Sequence, residues 1–360
     1  MNQLILLLAV ILGLATLVPI SRNARWWIRA LDFPRLQLLF LAISIFILAM
    51  VFTDSIYRLV ALPITCLCIL YHLYWIYPYT FLVRPEVESI QIDCEEPTLS
   101  LLTANVLMTN RNAEKFLELV QSNDPDILLT LESDKWWEEK LGTLDKDYPY
   151  SIKCPLDNLY GMHLYSRLPL HENKIDYLVE DGVPSFHTII ELSTETRIRA
   201  HFLHPSPPMP EYSSSTDERD AELVAVAKSV QDCDLPIIVA GDLNDVAWSE
   251  TTRLFRKISG LLDPRVGRGM FNTFNAKHWF MRWPLDHLFH SDHFQICDIR
   301  RLEYFGSDHF AFFTKLAYRD RPGTSREGLD TDNGDHEFAE DKLDRKNVSR
   351  EDVPLDETKN

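Results

Sequence analysis

Near the N-terminus, charge disappears from the chain in three places. Met1–Ile20, Leu36–Thr53 and Leu59–Val83 carry no charged side chain, and each approaches the ~20 residues that cross a bilayer as a helix. The spacing predicts three transmembrane helices within residues 1–83. Met1–Ile20 has neither the basic flank nor the small-residue cleavage site of a signal peptide. Trp26, Trp27, Tyr74, Trp75, Tyr77 and Tyr79 cluster near the ends of the runs, as an interfacial aromatic belt does.

Beyond residue 84 the pattern changes to short apolar runs that end on polar residues. Thr98–Val106 reads as a buried strand with Asn105 at its end, and Asp126–Leu131 as a second that delivers Glu132. Between them Glu114–Val120 is amphipathic at helical spacing, with Phe116, Leu117 and Val120 inward. Trp136–Leu141 predicts a short helix, and Gly161–Tyr165 and His187–Leu192 predict further strands. Arg197–Leu203 predicts another, which stops at His204. A helix over Glu218–Val230 precedes the most informative stretch, Pro236–Asp245. Its β-branched Ile237, Ile238 and Val239 suit a strand buried on both faces. Gly241 then lets the backbone turn, and Asp242 and Asn244 follow at a spacing that points both side chains the same way. Strands over Leu285–Phe289 and Phe310–Leu316 complete a mixed α/β domain.

Composition divides the chain into three. Its 360 residues are 46% hydrophobic and 25% charged, enough for one large domain or two small ones. Of the net charge of −17, the first 83 residues carry +3 and residues 319–360 carry −5, leaving −15 on 84–318. A nucleic-acid backbone selects a basic face, so this balance weighs against a nucleic-acid substrate. The stretch 319–360 has few apolar residues, and its composition predicts a disordered acidic tail. None of the six cysteines has zinc-site spacing.

The candidate chemistry sits at the strand ends: Asn105, Glu132, His204, Asp242, Asn244, Asp286, Asp308 and His309. Gathered at one rim, they supply hard oxygen ligands for Mg²⁺ or Mn²⁺ and two imidazoles for acid–base work near neutral pH. Trp279, Phe280, Met281 and Trp283 form an apolar patch just before Asp286, suited to meet a membrane, grip a lipid tail or fill core.

In order and spacing, the motifs LLTANVL, DILLTLES, LYSRLPL, HFLHP, GDLND, PLDHLF and GSDHF resemble the endonuclease/exonuclease/phosphatase superfamily typified by DNase I, from about Leu101 to Leu316. The resemblance implies a four-layer α/β sandwich of two packed β-sheets. It implies metal binding by Glu132 with Asn105 and Asp308, and a water-activating His309 oriented by Asp286. Asp242 would position the nucleophile, while Asn244 and His204 would hydrogen-bond the phosphate oxygens. Arg167 would bind substrate phosphate or brace its strand. His163, His287 and His290 occupy no family position and read as structural.

Members of the superfamily cleave DNA, RNA, sphingomyelin, inositol phosphates and lipid pyrophosphates, and the fold does not choose among them. The acidic domain and the membrane spans favour a lipid-linked phosphate over a nucleic acid. The alternatives are a membrane-tethered nuclease and, from another class, an inactive binding module. Arg22, Arg25, Arg29 and Arg35 in the first loop assign the domain to the cytoplasm by the positive-inside rule. The resemblance to a membrane-anchored bacterial branch, some of whose members act on polyprenyl pyrophosphate, implies the opposite side. The expectation carried forward is a multi-pass protein of the cell (inner) membrane with its domain on the outer face.

Overall fold

The computed structural model describes residues 1–91, 96–193, 195–208, 214–231, 233–320 and 328–354. The uncharged runs become α1 (Asn2–Leu17), α3 (Arg35–Phe52) and α4 (Ser55–Ile76), with a single turn, α2 (Trp26–Arg29), in the first loop. All three long helices are long and apolar enough to cross a membrane. They pack on one another through Ala9, Leu12, Ala42, Ile45, Ala49 and Ala61. The outward faces stay apolar, as at Leu14, Phe40 and Leu67, which suits lipid rather than water.

The domain that follows contains β1 (Thr98–Asn105), α5 (Ala113–Asn123), β2 (Ile127–Leu131), α6 (Lys135–Leu141), β3 (Tyr150–Cys154) and β4 (Met162–Ser166). It continues with β5 (Leu170–Asp176), β6 (Ser185–Ser193), β7 (Thr196–Leu203), α7 (Asp217–Gln231), β8 (Ile237–Asp242) and α8 (Glu250–Ser259). β9 (Asp286–His290), β10 (Phe294–Arg301), β11 (Phe312–Tyr318) and α9 (Asn333–Asp344) close it. One sheet has the order β10-β11-β1-β2-β4-β3 and the other β5-β6-β7-β8-β9.

Alternation along each strand builds the layers. Leu101 and Leu129 of one sheet meet Ala200, Ile238 and Leu288 of the other in the central core. Their neighbours Leu102 and Leu128 face α5 and α6 through Phe116 and Trp137. Ile237 and Val239 face α7 and α8 through Val224 and Phe255. The result is a four-layer α/β sandwich, and it explains why the strands read as continuous apolar runs.

The structure differs from the sequence reading in two respects. β3, β5 and β10, which the pattern did not announce, are edge strands with exposed positions, and so lack the uninterrupted apolar run that marks the inner strands. The stretch expected to be disordered contains α9, while residues 321–327 and 355–360 lie outside the described residues. α9 docks because Ala339 and Leu343, one helical turn apart, are buried with Val353 against α7. Its charges find partners: Lys342 Nζ lies 2.6 Å from Asp220, and Asp335 2.5 Å from Lys257 Nζ. The acidic first turn of α7 draws in Lys346 and Arg345 through Glu218 and Asp217.

Candidate active site

Strand direction gathers the candidate residues. β1 runs parallel to β2, and β7 to β8, so Asn105, Glu132, His204 and Asp242 all emerge at the same kind of strand end. β9 is antiparallel to β8 and starts opposite it, with Asp286 in register with Asp242. His309 reaches the same rim just before β11. Gly241 has φ +144°, and a Cβ there would lie 1.9 Å from the Leu203 carbonyl oxygen. Only glycine lets β7 and β8 deliver His204 and Asp242 side by side.

A hydrogen-bonded chain runs through the rim. Asn105 Nδ2 donates to Glu132 Oε1 at 2.7 Å and lies 3.3 Å from Asp242 Oδ2. His309 Nδ1 lies 2.9 Å from Asp286 Oδ2, and His309 Nε2 lies 3.5 Å from Asp242 Oδ2. The Ser307 hydroxyl donates to the Asn105 carbonyl at 2.8 Å and accepts from the His309 amide at 3.0 Å, fixing the Asp308–His309 turn. Asn244 donates from its side chain to the Pro205 carbonyl at 2.9 Å, tying the β8 loop to the His204 loop. Glu132 and Asn244 are held at positive φ, +57° and +50°, strain of the kind that concentrates at functional sites.

Electrostatics follow from burial. Burial pushes the Glu132 carboxyl up to about 7, although the Asn105 amide opposes the shift. Burial opposes the charged form of His309, but Asp286 and Asp242 outweigh it and raise the imidazole to about 10. His204, with little compensation, is pulled down to about 4 by burial. The rim thus holds a cationic imidazole and a neutral one at physiological pH.

The rim suits a hard divalent cation. Glu132 Oε2 is buried and has no hydrogen-bond partner among the described residues, a costly state for a carboxylate. Glu132, Asn105 and Asp308 offer only oxygens as ligands, as Mg²⁺ or Mn²⁺ requires. A second grouping, Asp242, Asp286 and His309, brings its ligand atoms within 4.8 Å of one another. Within it His309 is hydrogen-bonded to Asp286 at 2.9 Å and ion-paired with Asp242 at 3.5 Å, so we read it as an acid–base chain.

Arg167 is a correction. It projects beside the start of β2, at the far end from Glu132, where it pairs with Asp124 and stacks on the Tyr148 ring 4.9 Å away. It braces the sheet and does not reach the rim. His163, His287 and His290 are buried, with His287 between Arg265 Nη2 at 2.7 Å and the Asp245 carbonyl at 2.9 Å. Asp245, in the same motif as Asp242, serves the scaffold: it accepts from the Ser249 hydroxyl at 2.5 Å and lies 3.4 Å from Arg219.

Sequence reasoning missed the contribution of the N-terminal helices and their first loop. The Trp248 indole donates to the Asp32 carbonyl at 3.0 Å, and the Tyr79 hydroxyl to the Ala247 carbonyl at 2.6 Å. These contacts seat the first loop and the end of the third apolar helix on Ala247 and Trp248, just after the Asp242–Asn244 motif. Phe33, Pro34 and Gln37 therefore line the same cavity as Glu132, Asp242 and His309. The partners lie 216 and 168 residues apart, and no local pattern announces them.

Residues 102–309 match the profile of the Endonuclease/Exonuclease/phosphatase family, well over half of the chain, and the protein belongs to that family. Its members are hydrolases of phosphoester bonds that use divalent metals. No curated relative matches the chain in sequence. Among solved structures, the fold is similar to an endonuclease/exonuclease/phosphatase from Beutenbergia cavernae, with TM-score 0.51, 16% identity and coverage of 62% of this chain and 72% of that one. It is also similar to D. rerio TDP2 complexed with single strand DNA product, with TM-score 0.52, 14% identity and coverage of 61% and 98%. The human Nocturnin catalytic domain with bound sulfate gives TM-score 0.50, 16% identity and coverage of 62% and 95%. At such identities the likeness shows the fold.

Proposed function

We propose that the protein is a membrane-anchored, divalent-metal-dependent phosphoesterase that hydrolyses a phosphodiester or pyrophosphate bond of a lipid-linked substrate. The observation that carries this reading is one cavity shared by Glu132, Asp242 and His309 with residues of the membrane anchor. Glu132, Asn105 and Asp308 hold the Mg²⁺ or Mn²⁺, which when bound neutralises phosphate charge and acidifies water. Asp242 accepts the proton of the attacking water. The sequence expectation makes His309 the base, but an imidazole raised to about 10 between Asp286 and Asp242 is charged at neutral pH. It therefore donates to the phosphoryl oxygen and stabilises the charge developing there, while Asp286 holds its orientation. Neutral His204 and Asn244 provide further hydrogen bonds to the phosphate.

The outer face of the cell membrane is the proposed side for the domain. The first loop packs against the domain, so both share a side, as three spans require. Arg25 is exposed, but the other three arginines of the loop are engaged within the fold: Arg22 with Glu250, and Arg29 and Arg35 with Asp32. Their charge is thus spent on folding, which weakens the positive-inside argument for the cytoplasm. Alkaline phosphatase fused after Asn360 is active if the domain is outside; a stable but inactive fusion overturns that side.

Purified full-length protein offered bis-p-nitrophenyl phosphate, a lipid pyrophosphate and DNA, with and without Mg²⁺, tests the function. Mg²⁺-dependent hydrolysis with preference for the lipid supports it, and preference for DNA establishes the nuclease alternative. Inertness toward all three refutes both.

A further inference from the structure

We infer that the membrane anchor is a wall of the substrate site, and that this wall receives the hydrocarbon chain of a long-chain alcohol esterified to the scissile phosphate. The inference rests on the phosphoesterase reading and names the part of the protein that selects the substrate.

The cavity has a volume of about 720 Å³, within the range of roughly 300–1,000 Å³ common for small-molecule sites. Its two ends differ in chemistry. Glu132, Asp242 and His309 line one, and Ala30, Phe33 and Pro34 of the anchor line the other. A ladder of aromatic rings joins them. Phe33 meets Trp283 edge-on at 5.7 Å, Trp283 stacks on Phe274 at 6.1 Å, and Phe274 contacts the His309 ring at 4.9 Å. An alcohol phosphate with its phosphorus at His309 thus runs its first methylenes along rings that lead to the anchor.

The membrane-side end of the cavity is built where a bilayer surface lies. Gln37 sits in the first turn of α3, the second candidate span, and donates from its side chain to the Phe280 carbonyl at 2.8 Å. That bond pins the 279–283 loop to the head of a membrane-spanning helix. On this loop Trp279 is 79% exposed and Phe280 54% exposed. Aromatic side chains left bare there belong at the headgroup level. A cavity lined by the catalytic residues and also by the loop between two candidate spans fits a chain drawn from the bilayer. The acidic balance of the domain opposes a polynucleotide in the same place.

The test is a homologous series of alkyl p-nitrophenyl phosphodiesters, methyl to octyl, kept below micelle-forming concentration with the full-length protein and Mg²⁺. Burial is worth ~0.8 kcal/mol per methylene, so kcat/KM rises about fourfold for each methylene that enters the cavity. Ala30 lies on the anchor wall and is exposed, so a charge there spares the packed core. In Ala30→Asp and Ala30→Lys alike, the gain falls below about twofold per methylene, because a charged wall repels a hydrocarbon chain. The opposite charges separate this effect from simple attraction or repulsion of the anion. Partition into detergent is common to all three proteins and cannot produce the difference. Hydrolysis without chain-length preference in the wild type overturns the inference. An undiminished preference in both variants, or faster cleavage of thymidine p-nitrophenyl phosphate than of the octyl ester, does the same. Failure to hydrolyse any ester with Mg²⁺ or Mn²⁺ removes the phosphoesterase reading itself, and the inference with it.

Discussion

Glu222 gives the fold a pH dependence that can be worked out from its surroundings. It lies in α7, is 3% exposed, and its Oε1 finds no hydrogen-bond partner among the described residues. Burial, with repulsion from Glu180, pushes its carboxyl from 4.5 up to about 8. The folded protein therefore keeps the proton at pH 7, whereas the unfolded chain releases it. A group raised in the folded state contributes stability that is fully present below pH 4.5 and is lost as the pH rises through about 8. At ~1.36 kcal/mol per unit, the loss is about 3 kcal/mol at pH 7 and approaches about 5 kcal/mol in alkaline solution. Glu222→Gln keeps the size and deletes the titration. Thermal unfolding of the two full-length proteins in the same detergent, followed by circular dichroism, gives the difference. At pH 4.5 the two melt nearly together, because Glu222 is neutral in the folded protein and only half ionised in the unfolded chain. At pH 8.5 the variant melts higher by on the order of 10 °C. A Tm difference that is the same at both pH values, or absent at both, refutes the reasoning.

Glu132→Gln removes the charge of the proposed metal ligand, and Mg²⁺ affinity measured by titration calorimetry falls by at least ~10–100-fold, the cost of losing even an outer-shell partner. Equal affinity removes Glu132 from the metal site. His309→Ala lowers kcat by ~10²–10³-fold with little change in KM, the loss of one transition-state hydrogen-bond donor; unchanged turnover in folded protein transfers the role elsewhere. Lys342→Ala leaves Asp220 with Arg219 at 2.8 Å as its remaining cationic partner. Denaturant unfolding then shows a loss of about 3 kcal/mol, at the lower end for a broken buried pair, and an unchanged midpoint means α9 does not dock in solution.

Much of this protein was legible along the chain because the signals are local. Three uncharged runs announce three apolar helices, since a bilayer tolerates little else over that length. The inner strands of both sheets read as apolar on both faces because helices cover one face and the opposite sheet the other. Their polar last residues could be read as candidates because β-strands deliver side chains at their ends. Other features depend on partners far away in sequence. β3 and β5 are edge strands, so their patterns are diluted by exposed positions. The tail has too few apolar residues to fold alone, and α9 exists because α7 offers it a groove and matching charges. Arg167 sits in a motif that suggested phosphate, yet strand direction carries it away from Glu132. His309 reads as a base along the chain, and only the fold sets it between Asp286 and Asp242, 23 and 67 positions away, whose charges favour its protonated form. The apolar wall beside the site belongs to a loop between two apolar N-terminal helices, because the chain's return over Trp248 brings Asp32 and Phe33 to the cleft. Sequence order determines which side chains exist and what each prefers locally. Which charges meet, and what an active site opens toward, is decided only when distant segments pack.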